Sequence, residues 1–146
     1  MKIAIASDHG GVNIREEIKK LMDELGMEYQ DFGCECGESV DYPDYALPVA
    51  EKVASGEFDR GILICGTGIG MSIAANKVQG IRCALVHDCF TAKVTREHND
   101  SNILAMGERV IGPGLAREIA QIWLTSEFEG GRHANRVGKI TEYESK

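Results

Sequence analysis

A short apolar run, Gly61-Ile62-Leu63-Ile64, ends in Cys65 and passes at once into three glycines on alternate positions, Gly66, Gly68 and Gly70. Behind them, Met71-Ser72-Ile73-Ala74-Ala75-Asn76-Lys77 reads as a helix. A continuous apolar run this short suits a strand buried on both faces of a parallel sheet. The glycines permit a tight strand-to-helix turn whose N–H groups, Ile69 included, can approach a ligand closely. Cys65 is thereby expected at the carboxyl end of a strand, where open α/β sheets bind ligands. The plainer alternative is a turn without a ligand and a cysteine that only packs. Three glycines coinciding with a thiol favour the ligand.

The rest of the chain repeats the alternation. Strands are expected at Lys2–Ser7, Glu28–Phe32, Gly61–Cys65, Arg82–Val86 and Ile103–Ala105. Ile14, Ile18, Leu21 and Leu25 recur at helical spacing after the first strand, and Gly26 ends them. Further helices are expected at about Tyr45–Ala54, Thr91–Glu97, Leu115–Thr125 (Leu115, Ile119 and Ile122 inward) and His133–Tyr143. Strands alternating with helices predict a single domain over residues 1–146. Its architecture is a three-layer α/β/α sandwich, a Rossmann-like five-stranded parallel sheet with right-handed crossovers and an additional C-terminal helix. That last helix follows Gly130-Gly131 and has no strand of its own. It is free to reach across to a second subunit.

Charge narrows the partners. The net charge is −7. Residues 101–146 hold six acidic and six basic side chains, so the excess acid lies wholly in the first hundred residues. No basic stripe exists for a nucleic-acid backbone, and no apolar stretch approaches a membrane span. An anionic substrate therefore needs a local cluster of arginines. Five cysteines, Cys34, Cys36, Cys65, Cys83 and Cys89, fit no disulfide framework and read as reduced thiols of a cytoplasmic protein. Cys34-x-Cys36 lacks a second ligand pair, so no metal is expected.

Met71 stands where the dinucleotide-binding pattern G-x-G-x-x-G needs its third glycine, and the loop lacks the Lys-Ser/Thr of a P-loop. A thiolate at Cys65 can serve as base or nucleophile, and Thr67 can donate to a developing oxyanion. Asp8 and His9, in Ser7-Asp8-His9-Gly10-Gly11, follow the first strand and face the same sheet edge. They read either as a helix cap beside a solvated ring or as a pair that holds sugar hydroxyls. His98 and Asn99 offer an acid or base and an amide, or are simply a polar loop. Arg132 and Arg136, four apart, suit a phosphate or pair with Glu127 and Glu129. Arg109 is a third phosphate contact or a surface charge.

These segments, with Asp41-Tyr42-Pro43-Asp44-Tyr45-Ala46 and Glu129-Gly130-Gly131-Arg132-His133, resemble the ribose-5-phosphate isomerase B family, which lies within the group containing the galactose-6-phosphate isomerase subunits. The resemblance spans the chain. It implies interconversion of D-ribose 5-phosphate and D-ribulose 5-phosphate through an enediolate, as in pentose phosphate metabolism, without metal or cofactor. It implies Cys65 as the base (some members use a glutamate elsewhere in the loop) and His98 as the ring-opening acid. It implies Gly66, Gly68, Ile69 and Gly70 as N–H donors to the enediolate oxygen, with Thr67 assisting. Asp8 and His9 match sugar-binding positions, Tyr42 is implied to line the site, and Asn99, Arg109, Arg132 and Arg136 match substrate-binding positions, the arginines serving the phosphate. His133 neighbours them with no assigned role. The implied assembly is a homodimer, or a dimer of dimers, with sites shared between subunits. The alternatives are an isomerase of a hexose 6-phosphate (allose or galactose type) and a non-catalytic phosphosugar-binding regulator.

Overall fold

The computed structural model describes residues 1–35 and 37–146; the expectation for Cys36 lies outside the described residues. Five strands, β1 (Lys2–Ser7), β2 (Glu28–Asp31), β3 (Arg60–Cys65), β4 (Cys83–Leu85) and β5 (Ile103–Gly107), form one parallel sheet in the order β2-β1-β3-β5-β4. Six helices connect and cover them: α1 (Val12–Glu24), α2 (Pro43–Ala54), α3 (Ile69–Ala75), α4 (Cys89–Asn99), α5 (Pro113–Thr125) and α6 (Arg132–Glu144).

Strand alternation sorts the core into two faces. Ile3, Ile5, Ile62, Ile64, Leu104 and Met106 pack with α1, α5 and Ala92 of α4. Ala4, Ala6, Leu63, Cys65, Ile103 and Ala105 pack with α2 and α3. The strand order explains the sorting. The crossovers through α1 and α4 step one way along the sheet, and those through α2 and α3 step the other way. With one handedness for all, opposite steps put the helices on opposite faces. The chain reverses its direction of travel between adjacent β1 and β3. A crevice opens at such a reversal, outside the carboxyl ends of the two strands.

Several expected boundaries move. α2 begins at Pro43, two residues earlier than expected, because a proline at the first helical position gives up an N–H that has no helical partner anyway. Pro48, inside the same helix, is solvent-exposed. In α5 the inward stripe is Ala116, Ile119, Ala120, Trp123 and Leu124, while Leu115 is exposed and Ile122 only half-buried. The stripe is shifted by one residue because Trp123, fully buried, donates from Nε1 to Ser101 Oγ at 2.9 Å and sets the rotation of the helix. Leu25 likewise turns outward as the C-cap of α1. Among the described residues no helix is long and apolar enough to cross a membrane. Cys34, Cys65, Cys83 and Cys89 are all free thiols.

Candidate active site

A cavity of about 240 Å³ fills the crevice between β1 and β3, lined by Asp8, His9, Gly10, Tyr42, Cys65, Gly66, Thr67, Gly70 and Arg109. Cys65 is the last residue of β3, 5 % exposed, and lies at the cavity floor. The Gly68 N–H donates to Sγ at 3.1 Å. That bond requires the turn to pass through φ +75° at Gly68, a left-handed conformation that only glycine adopts without strain. A Cβ there would also lie 2.7 Å from the Leu85 side chain and 2.8 Å from the Met106 backbone. Thr67 Oγ1 accepts the Ile69 N–H at 3.2 Å, which aims the hydroxyl along the same loop. The Tyr42 ring lies flush on the first turn of α3, so close that a Cβ on Gly70 would meet it at 2.6 Å.

The opposite wall comes from the loop after β1. Asp8, 7 % exposed, accepts the Gly10 N–H at 2.8 Å, an Asx-type turn that leaves its second oxygen for other partners. His9 Nδ1 accepts the Val40 N–H at 3.1 Å, so the neutral ring carries its proton on Nε2. The Arg109 side chain runs over Gly66, and its main-chain N–H donates to the Gly66 carbonyl at 3.0 Å.

The remaining expected residues lie elsewhere. Helices that follow parallel strands run back across the sheet, so α4 carries His98 and Asn99 to the amino edge, away from Cys65. The Glu129 N–H donates to the Glu97 carbonyl at 3.1 Å, which brings the start of α6 to the same place. Here the His98 and His133 rings stack at 4.2 Å with planes 7° apart, and His133 Nε2 lies 3.5 Å from Glu129 Oε2. Burial, then the nearby His98 and Arg132 charges, push His133 below the ordinary histidine value. Arg132, Arg136 and Asn99 are exposed around the stack. Within one chain, then, Asp8, His9, Tyr42, Arg109 and the Cys65–Gly70 loop converge, and His98, Asn99, Arg132 and Arg136 gather at the other end.

His98, Glu129 and His133 each bring a potential ligand atom within 4.8 Å of the others. The set does not fit a metal ion. An imidazole binds a metal along a lone pair in its ring plane, and two parallel stacked rings offer no point lying in both planes.

Two residues that brace the loops around the cavity escaped the sequence reading. His87 Nε2 accepts the Gly107 N–H at 2.9 Å, and burial lowers its pKa from the ordinary value. Glu108 reaches across to the start of α1, where it accepts hydrogen bonds from Asn13 and Ile14. Their position just past β4 and β5 was the available signal, since loops at the carboxyl edge border the site.

Fold and cavity define an α/β protein with a cavity at the carboxyl edge of its sheet and, on the cavity floor, a thiol that accepts a main-chain N–H. The profile of the family described as Ribose/Galactose Isomerase matches residues 3–140, and the chain belongs to that family. It is 80 % identical over 147 residues to YwlF of Bacillus subtilis, provisionally named a sugar phosphate isomerase, covering 100 % of this chain and 99 % of that one. It is 49 % identical over 145 residues to ribose-5-phosphate isomerase B of Escherichia coli strain K12, covering 99 % and 97 %. The solved structure of ribose-5-phosphate isomerase B from Clostridium thermocellum superposes with a TM-score of 0.97 at 60 % identity, covering 99 % of this chain and 98 % of that one.

Proposed function

We propose that this isomerase interconverts D-ribose 5-phosphate and D-ribulose 5-phosphate, with Cys65 as the proton-transferring base. The carrying observation is the Cys65 sulfur at the cavity floor with the Gly68 N–H upon it. The Cys65 thiolate takes the proton from C2 of the open-chain aldose. The electron pair moves into a C1–C2 enediolate, and the Cys65 thiol, whose proton exchanges in part with solvent, protonates C1 as the ketose forms. The hydroxyl protons exchange between O1 and O2, so nothing is oxidised or reduced overall. The N–H groups of Gly66–Gly70, with Thr67, face the charge that develops on the enediolate oxygen. Asp8, His9 and Tyr42 hold hydroxyls along the wall.

The furanose ring must open first, and His98 is the acid for that step. His98 lies at the amino edge of its own chain, which supports a site shared by two copies: the cavity of one and the His98, Asn99, Arg132 and Arg136 group of the other. Ile69, Leu85 and Phe90, at the start of α3, the end of β4 and the start of α4, are exposed apolar side chains, and a second copy would cover them. The arginines then supply binding energy to a phosphate remote from the reacting carbons, which orients those carbons.

Two inactive variants test both halves at once. On D-ribose 5-phosphate, Cys65→Ala and His98→Asn are each expected to keep no more than about 1 % of wild-type activity, and mixed after unfolding and refolding they are expected to recover about a quarter of it, because each hybrid pair holds one intact site. No recovery from a mixture shown to contain hybrids rejects the shared site. Rates on a panel of pentose and hexose phosphates identify the sugar, and faster turnover of a hexose 6-phosphate would replace ribose by that substrate. A chain that binds phosphosugar but exchanges no solvent deuterium into it is a binding protein and not a catalyst.

A further inference from the structure

We infer that Glu108 is a positioning residue that holds Arg109 at the cavity rim by docking its carboxylate on the start of α1, an inference that rests on the isomerase reading above. Helix α1 begins without the usual provisions. Its N-cap is Gly11, which has no side chain to accept an N–H, and its first turn contains no acidic residue. The exposed donors of a first turn need acceptors from somewhere. Glu108 provides them from 94 residues along the chain: Oε2 accepts the Ile14 N–H at 3.0 Å, and Oε1 accepts Asn13 Nδ2 at 2.8 Å. A carboxylate at a helix N-terminus also gains from the helix dipole.

The docking matters because of what adjoins it. The Gly107–Arg109 turn is tied at every residue. The Gly107 N–H donates to His87 Nε2 at 2.9 Å, the Glu108 N–H to the Cys65 carbonyl at 2.9 Å, and the Arg109 N–H to the Gly66 carbonyl at 3.0 Å. The main-chain bonds set the turn against the Cys65 loop. The Glu108 side chain links it to the start of α1, just after Asp8, His9 and Gly10. Arg109 and those three residues all line the cavity. Glu108 therefore sets the gap between the two walls and the place from which Arg109 reaches substrate. It also fills the anion-binding start of α1 with the protein's own charge, so a substrate phosphate is left to the arginines.

A double-mutant cycle separates this role from simple helix capping. Glu108→Ala, Glu108→Gln, Arg109→Ala and the Glu108→Ala/Arg109→Ala pair are compared for kcat and KM on D-ribose 5-phosphate and for Tm. Glu108→Ala is expected to raise KM about tenfold with kcat within about threefold, the pattern of lost uniform binding. Glu108→Gln keeps an acceptor for the Ile14 N–H and is expected to stay within about threefold of wild type. In the Arg109→Ala background, Glu108→Ala is expected to add less than about twofold to KM, because its effect runs through the missing arginine. Additive KM effects, an unchanged KM with a lowered Tm, or a Gln variant as impaired as the Ala variant each overturn the inference. A wild-type chain that turns over no phosphosugar overturns the isomerase reading itself, an outcome distinct from an active wild type with additive effects.

Discussion

The two edges of the sheet are built in opposite ways. At the carboxyl edge the construction rests on backbone: a sulfur under the Gly68 amide, a turn locked at φ +75°, and loops pinned to one another by main-chain bonds. At the amino edge it rests on side chains, with two stacked rings, a carboxylate beside one of them and exposed arginines on helix ends. Backbone bonds between buried strands hold positions to fractions of an ångström, whereas long exposed side chains keep their rotamer freedom until a ligand or a partner fixes them. The proposed isomerisation, with a rigid base and an adaptable phosphate clamp, has a use for each kind of construction.

That contrast can be broken residue by residue. Cys65→Ala is expected to lower kcat by about a thousandfold, the scale of a lost general base, while circular dichroism and Tm stay near wild type. An active alanine variant would remove the sulfur from the chemistry. His98→Asn is expected to cost about a hundredfold when the closed sugar is substrate, with less effect on D-ribulose 5-phosphate, which cannot close the same ring. Equal losses on both substrates would deny His98 the ring-opening step. Gly68→Ala should cost about 1–3 kcal/mol in backbone strain, read as a lower Tm, and lose turnover as well because the amide over the sulfur moves. At the adaptable edge, Arg136→Ala should raise KM about tenfold with little change in kcat. A fall in kcat alone would place Arg136 among groups that act only in the transition state.

The smallest expected effect concerns His87. Burial holds its pKa below the ordinary 6.5, against the opposing pull of Asp88. The unfolded chain thus takes up a proton more readily than the folded one. The stability His87 lends is complete above about pH 6.5 and is lost as pH falls below that value. His87→Gln should lessen the fall in Tm between about pH 7 and pH 5, leaving the share due to His133, whose value is lowered as well. An unchanged pH dependence would show that the Gly107 bond does not depend on a neutral ring.

The carboxyl edge was the more legible region. Cys65, the alternate glycines and Asp8-His9 sit in loops directly after strands, so placing the strands placed them too. His98, Arg132 and Arg136 were legible as types but not in position, because α4 returns His98, and α5 the chain that leads to the arginines, to the far edge of the sheet. The stripe of α5 was misread by one residue, since a buried tryptophan with a hydrogen-bond partner outweighed the simplest apolar spacing. Glu108 was invisible for another reason: its partners Asn13 and Ile14 lie more than ninety residues away.

Apolar periodicity and glycine placement alone determined the order of strands and helices and the loop that carries the thiol, because those signals act over a few residues. Only the folded sheet decided which loops meet, that α1 borrows its cap from the far end of the chain, and that Cys65 and His98 of one chain stand at opposite edges. Such facts depend on strand order and on the direction in which helices return. Neighbours along the chain cannot encode them, since the contacts that settle them join residues far apart in sequence.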